Sequence, residues 1–257
     1  MRQVPEWLIT DEVDYVERDL GNLKSGKEAE VFLIERSHAG RSCLLAHKRY
    51  RPRTVSQKGE LEALGFQRGN RFMNDLAYRD GRKFAKSRDR RAAERMTKYG
   101  KKLLTGRWTG HELEMMQHAW NAGVSVPYPV GARGDGLLMQ FLGDPDRAAP
   151  RLAEAKIRAS EIRAAAAQLV DNLRLLVGAG FVHADLSAFN LLWWEDRLWL
   201  IDFPQAVDVT VNPHAFDYLH RDLTNVAGWF ARHGEVIAVD ELYAELIAGA
   251  GTGAGSG

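Results

Sequence analysis

Between residues 183 and 202 the chain reads His-Ala-Asp-Leu-Ser-Ala-Phe-Asn, then Leu191-Leu192-Trp193-Trp194, Glu195-Asp196-Arg197, Leu198-Trp199-Leu200-Ile201, and ends on Asp202. Two short apolar runs around a polar break predict a β-hairpin. Asn190 stands just before the first strand and Asp202 just after the second, so antiparallel pairing brings both to the open end of the hairpin. A carboxylate beside an amide oxygen is a hard-oxygen set of the kind Mg²⁺ takes together with phosphate oxygens. Asp185 lies on the loop leading in, where it can orient or deprotonate an incoming hydroxyl. Each of these residues alone is ordinary turn chemistry. The three together, in this order around a hairpin, are specific. His183 reads as a brace for that loop rather than as a base. Ser187 can either touch a transferred phosphate or hydrogen-bond the loop.

Composition narrows the classes. The chain has 257 residues, 45% apolar and 27% charged, enough for one large domain or two lobes around a buried core. Lys and Arg total 35 against 34 for Asp and Glu, which excludes a uniformly basic nucleic-acid binder and an acidic tail protein. The single Cys43 permits neither an intramolecular disulfide nor a cysteine zinc site and predicts a reducing compartment. No apolar run approaches the roughly 20 residues needed to cross a bilayer, and the first residues lack the apolar core of a signal peptide. The expectation is a soluble, cytoplasmic protein without a membrane partner.

The balanced total hides a basic stretch. Residues 79–107 hold twelve Lys and Arg against Asp80, Asp89 and Glu94, so the remainder of the chain is acidic. Such a run suits a solvated helical face or a surface for RNA or a ribosomal particle. No aromatic ladder interleaves it, which argues against sequence-specific reading of single strands.

The predicted organisation is an N-terminal extension (1–19), a first lobe (20–142, with 78–108 as its basic segment), a second lobe (143–247) and a disordered Gly/Ala-rich tail (248–257). In the first lobe, strands are expected at 30–34 and 43–48 around the turn His38-Ala39-Gly40, a helix over 110–122 stopped by Gly123, and a strand at 137–142. In the second, a helix over 160–177 capped by Ser160 precedes the hairpin, and helices over 213–232 and 240–247 follow it.

Two further residues belong to this chemistry. Lys48 ends an apolar strand, a costly place for an ammonium group unless it is paired or snorkels to water. Glu112 shares a helical stripe with Met116 and Ala119 and should face the sheet, so a Lys48–Glu112 ion pair is physically reasonable. Ahead of them, the turn around Ser25, Gly26 and Lys27 can present a hydroxyl, an ammonium and backbone N–H groups to phosphate oxygens.

Three stretches together resemble the signatures of the RIO family of atypical protein kinases: Ser-Gly-Lys-Glu-Ala-Glu-Val-Phe at 25–32, His-Ala-Asp-Leu-Ser-Ala-Phe-Asn at 183–190, and Ile-Asp-Phe-Pro-Gln-Ala-Val at 201–207. The resemblance runs from about residue 20 to 234, includes Arg221-Asp222-Leu223-Thr224-Asn225-Val226, and at 78–83 is similar to bacterial members in particular. It implies an α+β, bilobal protein-kinase-like fold, with an N-terminal antiparallel sheet plus a helix and a mainly helical C-terminal lobe. It implies Asp185 as catalytic base, Asn190 and Asp202 as ligands of Mg²⁺ or Mn²⁺, and Lys48, held by Glu112, on the α/β-phosphates of ATP. Ser25, Gly26, Lys27 and Val31 would belong to the phosphate loop and its strand, Ser187 to the nucleotide site, and the backbone of Gln140 and Leu142, behind Met139, would hold adenine. In this family the metal-binding Asp can itself accept phosphate, so Asp202 is also a candidate phosphoacceptor.

The sequence departs from ordinary kinases at Asp202-Phe203-Pro204, where Asp-Phe-Gly is usual, and no Ala-Pro-Glu follows. RIO kinases likewise lack ordinary activation and peptide-docking loops, so conventional peptide selection is not implied. Glu30 and Phe189 stand where the family often has Asn or Val, and Tyr. The activity implied is Mg-ATP-dependent phosphoryl transfer, as a Ser/Thr protein kinase or ATPase, with an unidentified protein substrate. The alternatives are a small-molecule kinase of the aminoglycoside or choline type, against which residues 25–29 argue, and a nucleotide-gated module that docks RNA or a ribosomal particle.

Overall fold

The computed structural model describes residues 2–10, 13–26, 29–51, 98–134 and 136–250, with the side chains of 98–105, 107 and 108 left aside. Lys27, residues 52–97 with most of the basic stretch and the segment 78–83, and the tail beyond 250 lie outside the described residues. So does any role for them.

Three long strands open the fold: β1 (Val16–Ser25), β2 (Ala29–His38) and β3 (Arg41–Tyr50). With β4 (Pro129–Arg133) and β5 (Gly136–Gln140) they form one antiparallel sheet in the order β1-β2-β3-β5-β4. The expected turn at Ala39-Gly40 joins β2 to β3, both residues having positive φ (48° and 77°). Residues 31–34, 43–46 and 137–139 are continuously apolar because the pleat sends alternate residues to two covered faces, whereas β1 is almost wholly exposed. Ile34, Cys43, Leu45 and Leu138 pack on the outer face against Leu8 and Ile9. Leu33, Ala46 and Phe141, joined by Leu23, Val31, Leu44 and Met139, form a second cluster on the other side. The sheet thus begins before residue 20, and the first residues are part of its packing rather than an appendage.

The helix α1 (Lys98–Asn121) starts earlier than the 110 expected and buries Glu112, Met115, Met116, Ala119 and Trp120. Its stop is a Schellman arrangement. Gly123 takes φ 91°, the Val124 N–H donates to Ala119 C=O at 3.0 Å, and the Gly123 N–H donates to Trp120 C=O at 3.0 Å.

After the small hairpin β6 (Gly143–Asp144) and β7 (Arg147–Ala148), the second lobe is mainly helical. The helix α2 (Ala159–Gly178) buries Ile162, Ala165, Leu169, Leu173 and Leu176 along one stripe. Its cap differs from the Ser160 expected. The capping position is Arg158, whose N–H is accepted by Glu161 Oε2 at 2.7 Å, so the reach-back carboxylate does the capping and Ser160 lies inside the first turn.

A short pair follows, β8 (Phe181–Val182) with β11 (Val207–Asp208), flanking the predicted hairpin β9 (Leu191–Trp194) and β10 (Arg197–Leu200). The hairpin pairs Trp194 with Arg197 and Leu191 with Leu200. The helices α3 (Ala215–Arg232) and α4 (Val239–Ala250) close the lobe, and Ala248–Ala250, expected in the tail, are helical. One large core joins the end of α1 to α2, the hairpin, α3 and α4. Among the described residues no helix is long and apolar enough to cross a membrane.

The two-residue turn of the hairpin puts both Glu195 (φ 50°) and Asp196 (φ 56°) in the left-handed region, as a type I′ turn requires. Asp196→Gly should therefore raise stability by about 0.5–1 kcal/mol. Urea denaturation with an unchanged slope and a higher midpoint is the expected result; a lower midpoint would contradict the turn assignment.

Candidate active site

Lys48 lies on β3 with its side chain 12% exposed, and it is doubly paired. Its ammonium donates to Glu112 Oε1 at 2.7 Å and to Asp202 Oδ1 at 2.6 Å. The first contact meets the sequence expectation. The direct contact with Asp202 does not follow from the sequence. It arises because Asp202 follows β10 with φ 73°, and this backbone brings its carboxylate to Lys48.

Glu112, fully buried, also accepts the Phe203 N–H on Oε1 at 3.2 Å and the Tyr50 hydroxyl on Oε2. Tyr50 is two residues beyond Lys48 on the same strand, hence on the same face of the pleat, a spacing that could have identified it. One turn of α1 is further tied to the segment after Asp202, since His111 Nε2 donates to Ala206 C=O at 2.9 Å.

The electrostatics follow from burial and proximity. Burial pulls the Lys48 ammonium downward, but the two carboxylates outweigh it and hold its pKa above the ordinary lysine range. Burial would raise Asp202, yet the adjacent Lys48 charge keeps it below the usual carboxylate value. Glu112 is pushed up by burial, with Lys48 opposing. The site therefore presents a protonated lysine and an ionised Asp202.

Asn190 and Asp202 do share the open end of the hairpin, and the Ile201 N–H donates to Asn190 C=O at 3.0 Å. The Asn190 amide nitrogen donates to Asp185 C=O at 2.7 Å and to Asp185 Oδ2 at 3.3 Å. That commits the nitrogen to the loop and leaves the amide oxygen as the outward donor atom. Asp202 uses Oδ1 for Lys48, so its second oxygen completes a carboxylate-plus-amide set, which fits a hard divalent cation. Asp185 itself is exposed at the cleft.

His183 behaves as a brace. Its Nε2 lies 3.0 Å from Ile201 C=O, which can only accept, so Nε2 carries the proton. Its ring packs against Phe203 at 4.7 Å between centroids, and burial lowers its pKa to about 4. It is neutral at neutral pH. Ser187 spends its groups on the loop, with its hydroxyl accepting the Phe189 N–H at 3.3 Å and its C=O accepting the Asn190 N–H at 2.9 Å.

The remaining expected residues line the cleft side of the sheet or the turn. Val31 faces Lys48 across β2–β3 and packs with Met139, Ala46 and Leu33. The Gln140 N–H is already donated to Tyr128 C=O at 2.8 Å, so this group is not available to adenine, whereas the Leu142 C=O accepts the Ala149 N–H at 2.9 Å. In the turn, the Ser25 hydroxyl donates to Asn22 Oδ1 at 3.3 Å and the Gly26 N–H to Ala29 C=O at 2.9 Å, so both are used in shaping it. A Cβ at Gly26 would meet that same carbonyl at 3.1 Å.

Asp222, on α3, is the functional residue that site reasoning on the sequence missed. It is 1% exposed beneath the Asp185 loop, and its Oδ1 accepts the Leu186 N–H at 3.1 Å. Its neighbour Arg221 donates to Ala184 C=O. The signal was present: Asp222 interrupts the stripe Leu219, Leu223, Val226, so a carboxylate was bound to be buried. Burial raises its pKa to about 7, against partial relief from the Leu186 N–H and Arg221.

The family model of the RIO domain matches residues 70–242. The human serine/threonine-protein kinase RIO3 is 33% identical over 174 residues, covering 66% of this chain and 33% of the relative. The RIO-type serine/threonine-protein kinase Rio1 of Haloferax volcanii is 37% identical over 142 residues, covering 55% of this chain and 48% of the relative. The chain thus spans a third to about half of the length of these curated relatives. In fold it is similar to the Rio2 kinase–ADP/Mg²⁺–phosphoaspartate complex from Chaetomium thermophilum, with a TM-score of 0.58 at 18% identity, over 91% of this chain and 62% of the other.

The buried Asp222 makes stability depend on pH. An unfolded carboxyl titrates near 3.8 and the folded one near 7, so the folded state holds the proton longer. Its contribution is complete below the unfolded value and is lost as pH rises through the folded one, on the order of 4 kcal/mol in all. Asp222→Asn should lack this slope, and denaturation series from pH 4 to 8 on both proteins check it. Parallel curves would contradict the assignment. With the Lys48–Glu112–Asp202 cluster at the cleft and the Asp185–Asn190 loop beside it, the chain belongs to the RIO domain family.

Proposed function

We propose that this protein catalyses Mg-ATP-dependent phosphoryl transfer, as a RIO-type serine/threonine protein kinase or ATPase. The observation that carries this reading is the doubly paired Lys48, which joins a strand, a helix and the residue after the hairpin at one point of the cleft. Lys48 binds the α/β-phosphates with Glu112 fixing its position. Adenine rests against Val31, Ala46, Met139 and Phe141, and the Leu142 N–H and Gln140 C=O supply its polar contacts. Asn190 and Asp202 hold Mg²⁺, which supplies charge neutralisation at the phosphates. Asp185 accepts the proton of the attacking hydroxyl, with Asn190 steadying its carboxylate. Ser25 and Gly26 belong to the turn over the phosphates, and Ser187 acts chiefly by holding the loop.

A second route uses Asp202 as acceptor. One carboxylate oxygen forms a bond to the γ-phosphorus, the bond from that phosphorus to the ADP oxygen breaks, and ADP departs with the electron pair. Water later cleaves the acyl phosphate to Asp202 and free phosphate. The Chaetomium thermophilum complex, which holds ADP, Mg²⁺ and phosphoaspartate, supports this route. The protein substrate is unidentified. The single Cys43, buried and unpaired with another cysteine, suits a cytoplasmic setting.

Purified protein incubated with γ-labelled ATP and Mg²⁺ tests the reading. Asp185→Ala and Asp202→Asn should each lower label transfer or phosphate release at least about a hundredfold. Label released by neutral hydroxylamine marks an acyl phosphate on Asp202; label that resists hydroxylamine marks Ser or Thr. Undiminished activity in both variants would overturn the site, and wild type that binds ATP without transferring phosphate would overturn the function.

A further inference from the structure

The first described residues run across the outer face of the sheet and end at the junction of the lobes. Leu8 and Ile9 are buried against Ile34, Cys43, Leu45 and Leu138. The Ile9 N–H donates to Cys43 Sγ at 3.4 Å, and its C=O accepts Arg36 Nη1 at 2.9 Å. Arg36 is 1% exposed and gives its other nitrogens to Glu17 Oε1 at 3.1 and 2.8 Å, while Arg41 donates to Glu6 C=O. The buried Arg36 guanidinium thus joins this segment, through Ile9 C=O, to Glu17 of β1.

At its far end the segment delivers Arg2. The Arg2 guanidinium stacks 3.9 Å over the Trp120 ring and donates to Val124 C=O at 3.2 Å. Trp120 lies about two turns beyond Glu112 on α1, at its C-terminal end. Val124 adjoins Ser125, whose C=O accepts the Leu200 N–H at 2.8 Å, and Leu200 is two residues before Asp202. Ser125 is also held from the other side, where its N–H donates to Asn172 Oδ1 at 2.6 Å and its hydroxyl accepts Arg197 Nε at 3.2 Å. Arg2 therefore grips the spot where the Glu112 helix stops and the Asp202 hairpin is moored.

We infer that Arg2 is a positioning residue: anchored to the sheet through Leu8, Ile9 and Arg36, it holds the C-terminal end of α1 and so keeps Glu112 in place for Lys48. This rests on the catalytic reading of Lys48 and Glu112 given above. The sheet that carries Lys48 and the helix that carries Glu112 are tied at two ends, by the buried ion pair within the cleft and by Arg2 behind it.

Hydrogen exchange and turnover on the full chain test it. In Arg2→Ala the amides of 112–121 should exchange about fivefold faster while those of α2 are unchanged, and Arg2→Lys should recover part of the loss because the cation over Trp120 is retained. The kcat for ATP turnover should fall by a similar factor with a smaller change in KM for ATP. In a Glu112→Gln background, where the ion pair is already lost, Arg2→Ala should have no further effect on kcat. Unchanged exchange at 112–121, or the same fractional loss of kcat in the Glu112→Gln background, would overturn the inference. Wild type without turnover would count against the catalytic reading alone, and the exchange comparison would still decide for or against Arg2.

Discussion

A largely buried lysine, set between two carboxylates, is the constraint on which the rest of this structure depends. Lys48 sits on the cleft side of a covered sheet, where an unpaired ammonium would be strongly destabilising. Its partners come from positions 64 and 154 residues further along the chain. Satisfying that one charge fixes the helix α1 against the sheet and draws the segment after β10 to both. Glu112 then needs its own second oxygen covered, which Tyr50 supplies, and the Phe203 N–H closes the set. The cluster sets one ammonium against two carboxylates, with the Asp202 carboxylate less buried than that of Glu112.

The Asp185 loop is held by a different device. Its backbone is strained at Ala184, with φ 63°, and such a conformation persists only where the surroundings impose it. Here they do so with polar groups drawn from three directions. Asp222 and Arg221 take the backbone of Leu186 and Ala184 from below, His183 takes Ile201 from within, and Asn190 takes Asp185 at the open end. Each is a hydrogen bond in a water-poor place, where an unsatisfied group is costly. The loop is thereby pre-set, and Asp185 is left exposed at the cleft without having to be ordered by its substrate.

The two faces of the sheet divide the work. One face lines the cleft with Val31, Ala46, Lys48 and Met139. The other is sealed by the N-terminal residues and by the buried Arg36–Glu17 pair, with Arg133 on the second oxygen of Glu17. A sheet of this size with one bare apolar face would not be stable in water. Covering it with residues 2–10 solves that problem and also carries the chain to the end of the Glu112 helix.

Much of this was legible before any coordinates. The hairpin was written in two apolar runs with a polar break, the pairing of Lys48 with Glu112 in strand and helix periodicity, and the family in three motifs. Local patterns sufficed there because each depends on residues a few positions apart, where the pleat or the helical turn fixes geometry. What stayed hidden was set by distance along the chain. No local rule says that Asp202 would close on Lys48, that the Gln140 N–H would be taken by Tyr128, that Asp222 would carry the Asp185 loop, or that residues 2–10 would seal the sheet. The sequence alone determined the central strands, the hairpin and the main helices, and the chemistry they bear. Only the tertiary structure decided which buried polar groups meet, because burial makes each of them find a partner wherever in the chain that partner happens to be.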